Sequence, residues 1–144
     1  MYKVTFINAV VACVFMIGCA RESNSNMMPE LSSCDSAAVM FYKTPGNPRF
    51  FTMSKVYDKS ILSTIEKDVN RELISGKDSC VTQGKIYYYG KGDAVYVVYF
   101  SKAADCKTFA FVKTGEKYFT AMDNAAEKLL DDLQKTAKEP KNEH

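Results

Sequence analysis

Apolar residues run almost unbroken over residues 4–18 and then give way to a polar stretch at 20–33. That stretch (ARESNSNMMPELSS) is rich in Ser, Asn and Pro and has neither a helical nor a strand period, so it reads as a flexible spacer. From residue 37 the pattern changes. Residues 37–43 (AAVMFYK) combine β-branched and aromatic side chains without a breaker, which predicts a strand. A turn cluster at 44–48 (TPGNP) separates it from a shorter strand at 49–53. Over residues 58–75, Ile61, Ile65, Val69 and Leu73 recur every fourth position with Leu62 beside them, which is one face of an amphipathic helix stopped by Gly76. Strands are predicted at 85–89, 94–101 and 107–113, followed by a short one at 117–120. Gly90–Asp93 closes the first pair of these, because glycine takes the positive φ that tight hairpins need. Met122, Ala126, Leu129, Leu130, Leu133 and Ala137 form the stripe of a final helix, capped by Thr120 or Asp123.

The order is therefore ββα, four strands, then α. Strand runs beside separate helices imply an α+β class: a mainly antiparallel sheet of about five to six strands with two amphipathic helices packed on one face. Residues 94–100 (AVYVVYF) are apolar on both alternating sets, so that strand is expected in the centre. Four segments are expected: a leader at 1–18, a tether at 19–33, a single domain at 34–137 and a frayed polar tail at 138–144.

The leader has one charge, Lys3, an apolar middle and the small residue Gly18 before Cys19. That is the layout of a secretory signal, and it is short for a membrane span of about 20 residues. Met16-Ile17-Gly18-Cys19 resembles the lipobox of bacterial lipoproteins, with methionine where the family usually has leucine. The resemblance covers residues 1–19 only. It implies cleavage before Cys19, lipid on that thiol and a lasting anchor in the cell envelope. Ala20 is not the aspartate that, by family analogy, retains such proteins at the inner membrane, so the outer membrane is implied, facing the periplasm or the exterior. Leu31-Ser32-Ser33-Cys34 fits the same short pattern but lacks a preceding apolar run.

Export changes how the cysteines read. Cys13 leaves with the leader and Cys19 takes lipid, leaving Cys34, Cys80 and Cys106 in an oxidising compartment. If strands 85–89 and 107–113 flank the central strand they run the same way, which brings Cys80 and Cys106 to one end of the sheet. A Cys80–Cys106 disulfide is expected, contributing about 3 kcal/mol through loop closure. Cys34 is then the odd thiol, free to stay reduced, to cross-link a partner or to exchange with the bridge. No Cys-x-x-Cys is present.

Charge and histidine narrow the chemistry. The formal net charge is +2, with lysines and carboxylates interspersed, which argues against a nucleic-acid partner. The only histidine is His144, the last residue, so Ser–His, Cys–His and histidine-built zinc sites have no basis in the body of the chain. Lys113-Thr114-Gly115 matches one element of the penicillin-binding set, but without its Ser-x-x-Lys companion it reads as a turn. The acidic residues Glu66, Asp68, Glu72, Asp131 and Asp132 fall on polar helical surface by periodicity. Catalytic residues, metal and cofactors are expected to be absent.

Tyrosine is the remaining signal. Tyr87, Tyr88 and Tyr89 are consecutive, so both faces of their strand carry a ring, and Tyr96 and Tyr99 point to opposite faces. Tyrosine is enriched at interfaces. Tyr87, Tyr89 and Tyr96 are the expected binding face. The functional expectation is a non-enzymatic envelope lipoprotein, a binding or accessory module with an envelope protein as partner. An inhibitor or immunity-type protein that blocks an envelope enzyme is the second reading. A small-ligand carrier, or an enzyme using carboxylates or a thiol, is the third and requires a polar cavity.

Overall fold

The computed structural model describes residues 29–141. The expected leader, Cys19 and tether residues 20–28 lie outside the described residues, as do tail residues 142–144. The elements are β1 (Ser36–Thr44), β2 (Asn47–Val56), α1 (Lys59–Val69), β3 (Leu73–Ile74), β4 (Gly84–Tyr89), β5 (Val95–Ser101), β6 (Thr108–Lys113), β7 (Glu116–Ala121) and α2 (Asn124–Thr136). The strands form one sheet in the order β2-β1-β4-β5-β6-β7-β3, and every neighbouring pair is antiparallel. The class is α+β, and β5 takes the middle of the sheet.

The sheet has seven strands where five to six were expected, and the difference lies in the segment after α1. The fourfold apolar repeat carries a helix through Leu73, yet the helix stops at Val69. Leu73 and Ile74 instead pair with Thr120 and Phe119 on the edge of β7. Leu73 packs against the core as a strand residue, and a core-facing position is all that the helical stripe required of it, so apolar periodicity cannot distinguish the two. The backbone decides, because β7 would otherwise leave a row of unpaired amides at a sheet edge.

Alternation divides each strand between two faces. The register aligns Ala37, Val39 and Phe41 with Tyr88, Ile86 and Gly84, and these with Tyr96, Val98 and Phe100. Phe109 and Phe111 continue this first face on β6. Apart from Gly84 and the half-buried Tyr96, these strand residues share one buried cluster with Leu62, Ile65 and Val69 of α1 and Ala126 and Leu130 of α2. Gly84 sits between Phe41 and Phe100, whose rings meet edge-on at 5.7 Å. A methyl group there would collide with Met40 O and the Phe100 ring.

Side chains secure both helices. Asp58 caps α1 by accepting from Ser60 N at 2.8 Å, and Asp123 rather than Thr120 caps α2 by accepting from Ala126 N at 2.8 Å. Asp68, expected on a solvated helical surface, is fully buried. Its Oδ2 accepts the Asp123 N–H at 2.7 Å, and its Oδ1 forms an ion pair, without a hydrogen bond, with Arg71 Nε at 3.0 Å. Arg71 Nη2 also reaches Asp123 Oδ2 at 3.1 Å. The end of α1 and the start of α2 are thus joined through one carboxylate, and a polar residue type alone could not show that the two helix ends meet. Lys102 bonds Asp131 and Gln134, Lys107 bonds Glu127, and Ser54 Oγ donates to Leu133 O, tying α2 to the sheet.

The packed body is longer at both ends than residues 34–137. Leu31, assigned to the tether, belongs to the buried cluster, and Cys34 N–H donates to Leu31 O at 3.0 Å. Lys138, assigned to the tail, exchanges backbone hydrogen bonds with Met53 on the outer edge of β2, and Glu139 pairs with Lys43. Cys80 and Cys106 form the expected disulfide.

Two outcomes follow from these contacts. Asp68→Ala leaves Arg71 and the Asp123 amide without their buried partner and is expected to destabilise the fold by about 3 kcal/mol in chemical denaturation. A loss near zero would show that the helix ends are held by apolar packing alone. Acid should act through the caps. Hydrogen bonds from Ser60 hold the Asp58 carboxyl below its ordinary range, and the Ala126 amide does the same for Asp123. Depressed folded-state values mean that this stability is present above the ordinary aspartate pKa of about 3.9 and is lost as pH falls through the lower one. Asp58→Asn keeps a capping oxygen but no titration, so its melting temperature should fall less steeply as pH drops below about 4 than that of the unsubstituted chain.

Candidate binding face

The second face of the sheet carries the other alternating set. One row across the strands reads Met53, Met40, Lys85, Tyr99, Ala110, Phe119 and Ile74. The row beside it runs Lys55, Ala38, Tyr87 and Val97, and the next Ser36, Tyr89 and Val95. Tyr42 lies on this face opposite Phe51. Ala38, Met40, Ala110 and Phe119 are buried on this face, whereas Tyr87 and Tyr99 are half-buried.

Large apolar groups are bare toward one end of this face. Tyr89 is 43% exposed, Val95 50% and Val112 53%, and Tyr57 just beyond β2 is 70% exposed. Ser36, Ala37, Ala38, Met53, Lys55, Tyr57 and Tyr89 line a recess of about 230 Å³. That falls short of the roughly 300–1,000 Å³ typical of small-molecule sites, and suits a single inserted side chain. Toward the middle, Lys85 Nζ lies 5.0 Å from the Tyr87 ring centre, and Lys117 Nζ lies 5.7 Å from those of Tyr99 and Phe119. The Tyr87 hydroxyl holds the Lys85 ammonium above its ordinary range, so it stays charged near neutral pH. Burial pushes the Tyr42 phenol upward, which keeps it a hydrogen-bond donor.

The register separates the three tyrosines expected to act together. Tyr87 and Tyr89 share the second face, whereas Tyr96 stands opposite Tyr88 on the first face and packs against the core. Strand ends at Tyr89 and Ala94 would set Tyr87 opposite Tyr96. The loop is one residue longer: Gly90 N–H donates to Ala94 O at 2.8 Å, and Tyr89 pairs with Val95. One residue of register exchanges the faces. Tyr42, Tyr57, Lys85 and Lys117 were not singled out in the sequence, and Tyr99 was read only as facing away from Tyr96, as it does. The alternation Lys85-x-Tyr87-x-Tyr89 was the available signal within β4.

The remaining candidate chemistry lies elsewhere. Cys34 is unpaired and buried, and its thiol is pushed up, first by burial and then by the nearby Glu66 carboxylate. A thiol so held is a poor nucleophile, and its burial keeps it from exchange with the Cys80–Cys106 bridge. Between the helices, Ile61, Ala125, Leu129 and Leu133 line an apolar groove of about 460 Å³ whose polar rim, Lys128 and Asp132, is ion-paired with itself. Among the described residues no helix is long and apolar enough to cross a membrane, and no group of three or more His, Cys, Asp or Glu is placed to hold a metal ion. Comparison with protein-family models, with curated proteins and with solved structures finds no match.

The separation of the tyrosines has a direct test. Tyr96→Ala removes a ring packed on the core and is expected to lower stability by about 2 kcal/mol, whereas Tyr89→Ala should change it by under about 0.5 kcal/mol. Equal losses in thermal denaturation would mean that the hairpin register differs from the one described.

Proposed function

We propose that the protein is a membrane-tethered, non-enzymatic binding module of the cell envelope, and that the second face of its sheet docks an envelope protein. We take the lipid on Cys19, implied by the lipobox resemblance, as the tether. Both helices contribute to the buried cluster on the first face, which supports their packing together on that side, and Tyr89 and Val95 leave part of the second face open to a partner. The observation that carries the reading is the register that gathers Tyr87, Tyr89 and Val95 there, with Tyr57 at its rim. Exposed apolar groups in one contiguous patch mark interaction surfaces, and tyrosine supplies contact area together with a hydrogen-bonding hydroxyl. The recess beside Tyr57 and Tyr89 suits one anchoring side chain, which favours a protein over a small ligand.

The test is chemical cross-linking of the full-length chain in its native envelope, with mass spectrometry of the products. One dominant partner is expected, recovered poorly from the Cys19→Ala form and from the Tyr87→Ala, Tyr89→Ala double variant. Undiminished recovery with both tyrosines removed would rule this face out as the docking surface.

A further inference from the structure

Charge is sorted between the two faces of the sheet. On the first side, lysines meet carboxylates: Lys59 pairs with Asp35, Lys102 with Asp131 and Lys107 with Glu127. On the second face the charged strand residues between the paired positions are Lys55, Lys85 and Lys117, all cationic. None of the three takes part in a salt bridge among the described residues. Lys85 stands directly opposite Tyr99, and the Lys117 ammonium reaches over that same ring, so two cations flank one phenol without a counter-charge. The Lys117 ammonium also donates to Thr82 Oγ1 at 3.3 Å, a neutral partner. The patch combines this positive centre with an apolar rim at Tyr57, Tyr89 and Val95.

The geometry points to an acidic protein surface as the partner, one that sets Asp or Glu carboxylates against Lys85 and Lys117 and an apolar side chain in the recess walled by Tyr57 and Tyr89. This rests on the docking face argued above and adds the chemistry of what docks there. The anion is assigned to a protein because carboxylates alone leave the exposed apolar rim unsatisfied, and a folded partner supplies both kinds of contact at fixed spacing. Tyr89 and Lys85 are four residues apart on one strand, so the anchor and the acidic group are separated by roughly 13 Å. Oppositely charged docking speeds association and weakens with salt.

Carbodiimide coupling tests this, because it joins a lysine amine to a carboxylate only where the two touch. Native envelopes holding the full-length chain are coupled, digested and sequenced by mass spectrometry. The expected product is an amide between Lys85 or Lys117 and an Asp or Glu of another protein, its yield falling as salt is raised. Lys85→Glu with Lys117→Glu should lower partner recovery at least about tenfold, with the circular dichroism spectrum unchanged. If that pair leaves recovery intact while Tyr87→Ala with Tyr89→Ala abolishes it, the acidic partner is overturned and the docking face stands. If neither pair matters, both readings fall. If no protein couples and the Cys19→Ala chain instead floats with phosphatidylglycerol vesicles but not with phosphatidylcholine vesicles, the anion is lipid and the proposal is overturned.

Discussion

The close approach of Phe100 to the bare backbone of Gly84 sets the register on which the sheet depends. Phe41 and Phe100 flank that glycine from the two neighbouring strands, and their rings meet over it. No other residue type fits, because a methyl group would strike both the Phe100 ring and Met40 O. A slip of one residue on either side would bring a side chain into the space the rings occupy. The row Phe41–Gly84–Phe100 therefore holds β1, β4 and β5 in fixed alignment. With it goes the division of the tyrosines: Tyr88 is sealed in the core and its neighbours on either side turn outward.

The two faces differ in how they treat polar groups. Charged groups around the first-face cluster are matched: α2 carboxylates take Lys102 and Lys107, and the Asp68 carboxylate takes the Asp123 amide and Arg71. The Tyr88 hydroxyl is an exception, buried with no hydrogen-bond partner, and burial pushes its pKa far upward. The second face has three lysines without a salt bridge among the described residues, and the Tyr89 ring is exposed there. An unmatched surface of that kind costs little in water, where lysine is hydrated, and gains when a complementary surface arrives.

The ends of the body secure its vulnerable borders. Leu31 and Cys34 plug the core where the chain enters, and Lys138 pairs with Met53 along the open edge of β2. On the opposite edge β3 covers β7. Pro140 follows closely on Lys138 and lacks the amide needed to extend pairing along β2.

Local pattern was enough for the class and for every element type except β3. Runs of β-branched and aromatic residues marked β1, β4, β5 and β6, a helical apolar stripe marked α2, and the apolar character of both sets in residues 94–100 placed β5 in the middle. The Cys80–Cys106 bridge followed from the same local reasoning, since strands on either side of a shared neighbour must run the same way. Three things were decided only when the chain packed. Leu73 left its helical period to cover the edge of β7, Asp68 left the solvated surface to bind Arg71 and the Asp123 amide, and a one-residue longer hairpin turned Tyr96 inward while Tyr87 and Tyr89 stayed out. Each depends on a partner far away in sequence or on the length of a turn, and hydrophobic periodicity carries neither. Periodicity reports that a residue has an apolar environment, whereas tertiary structure decides which surface provides it.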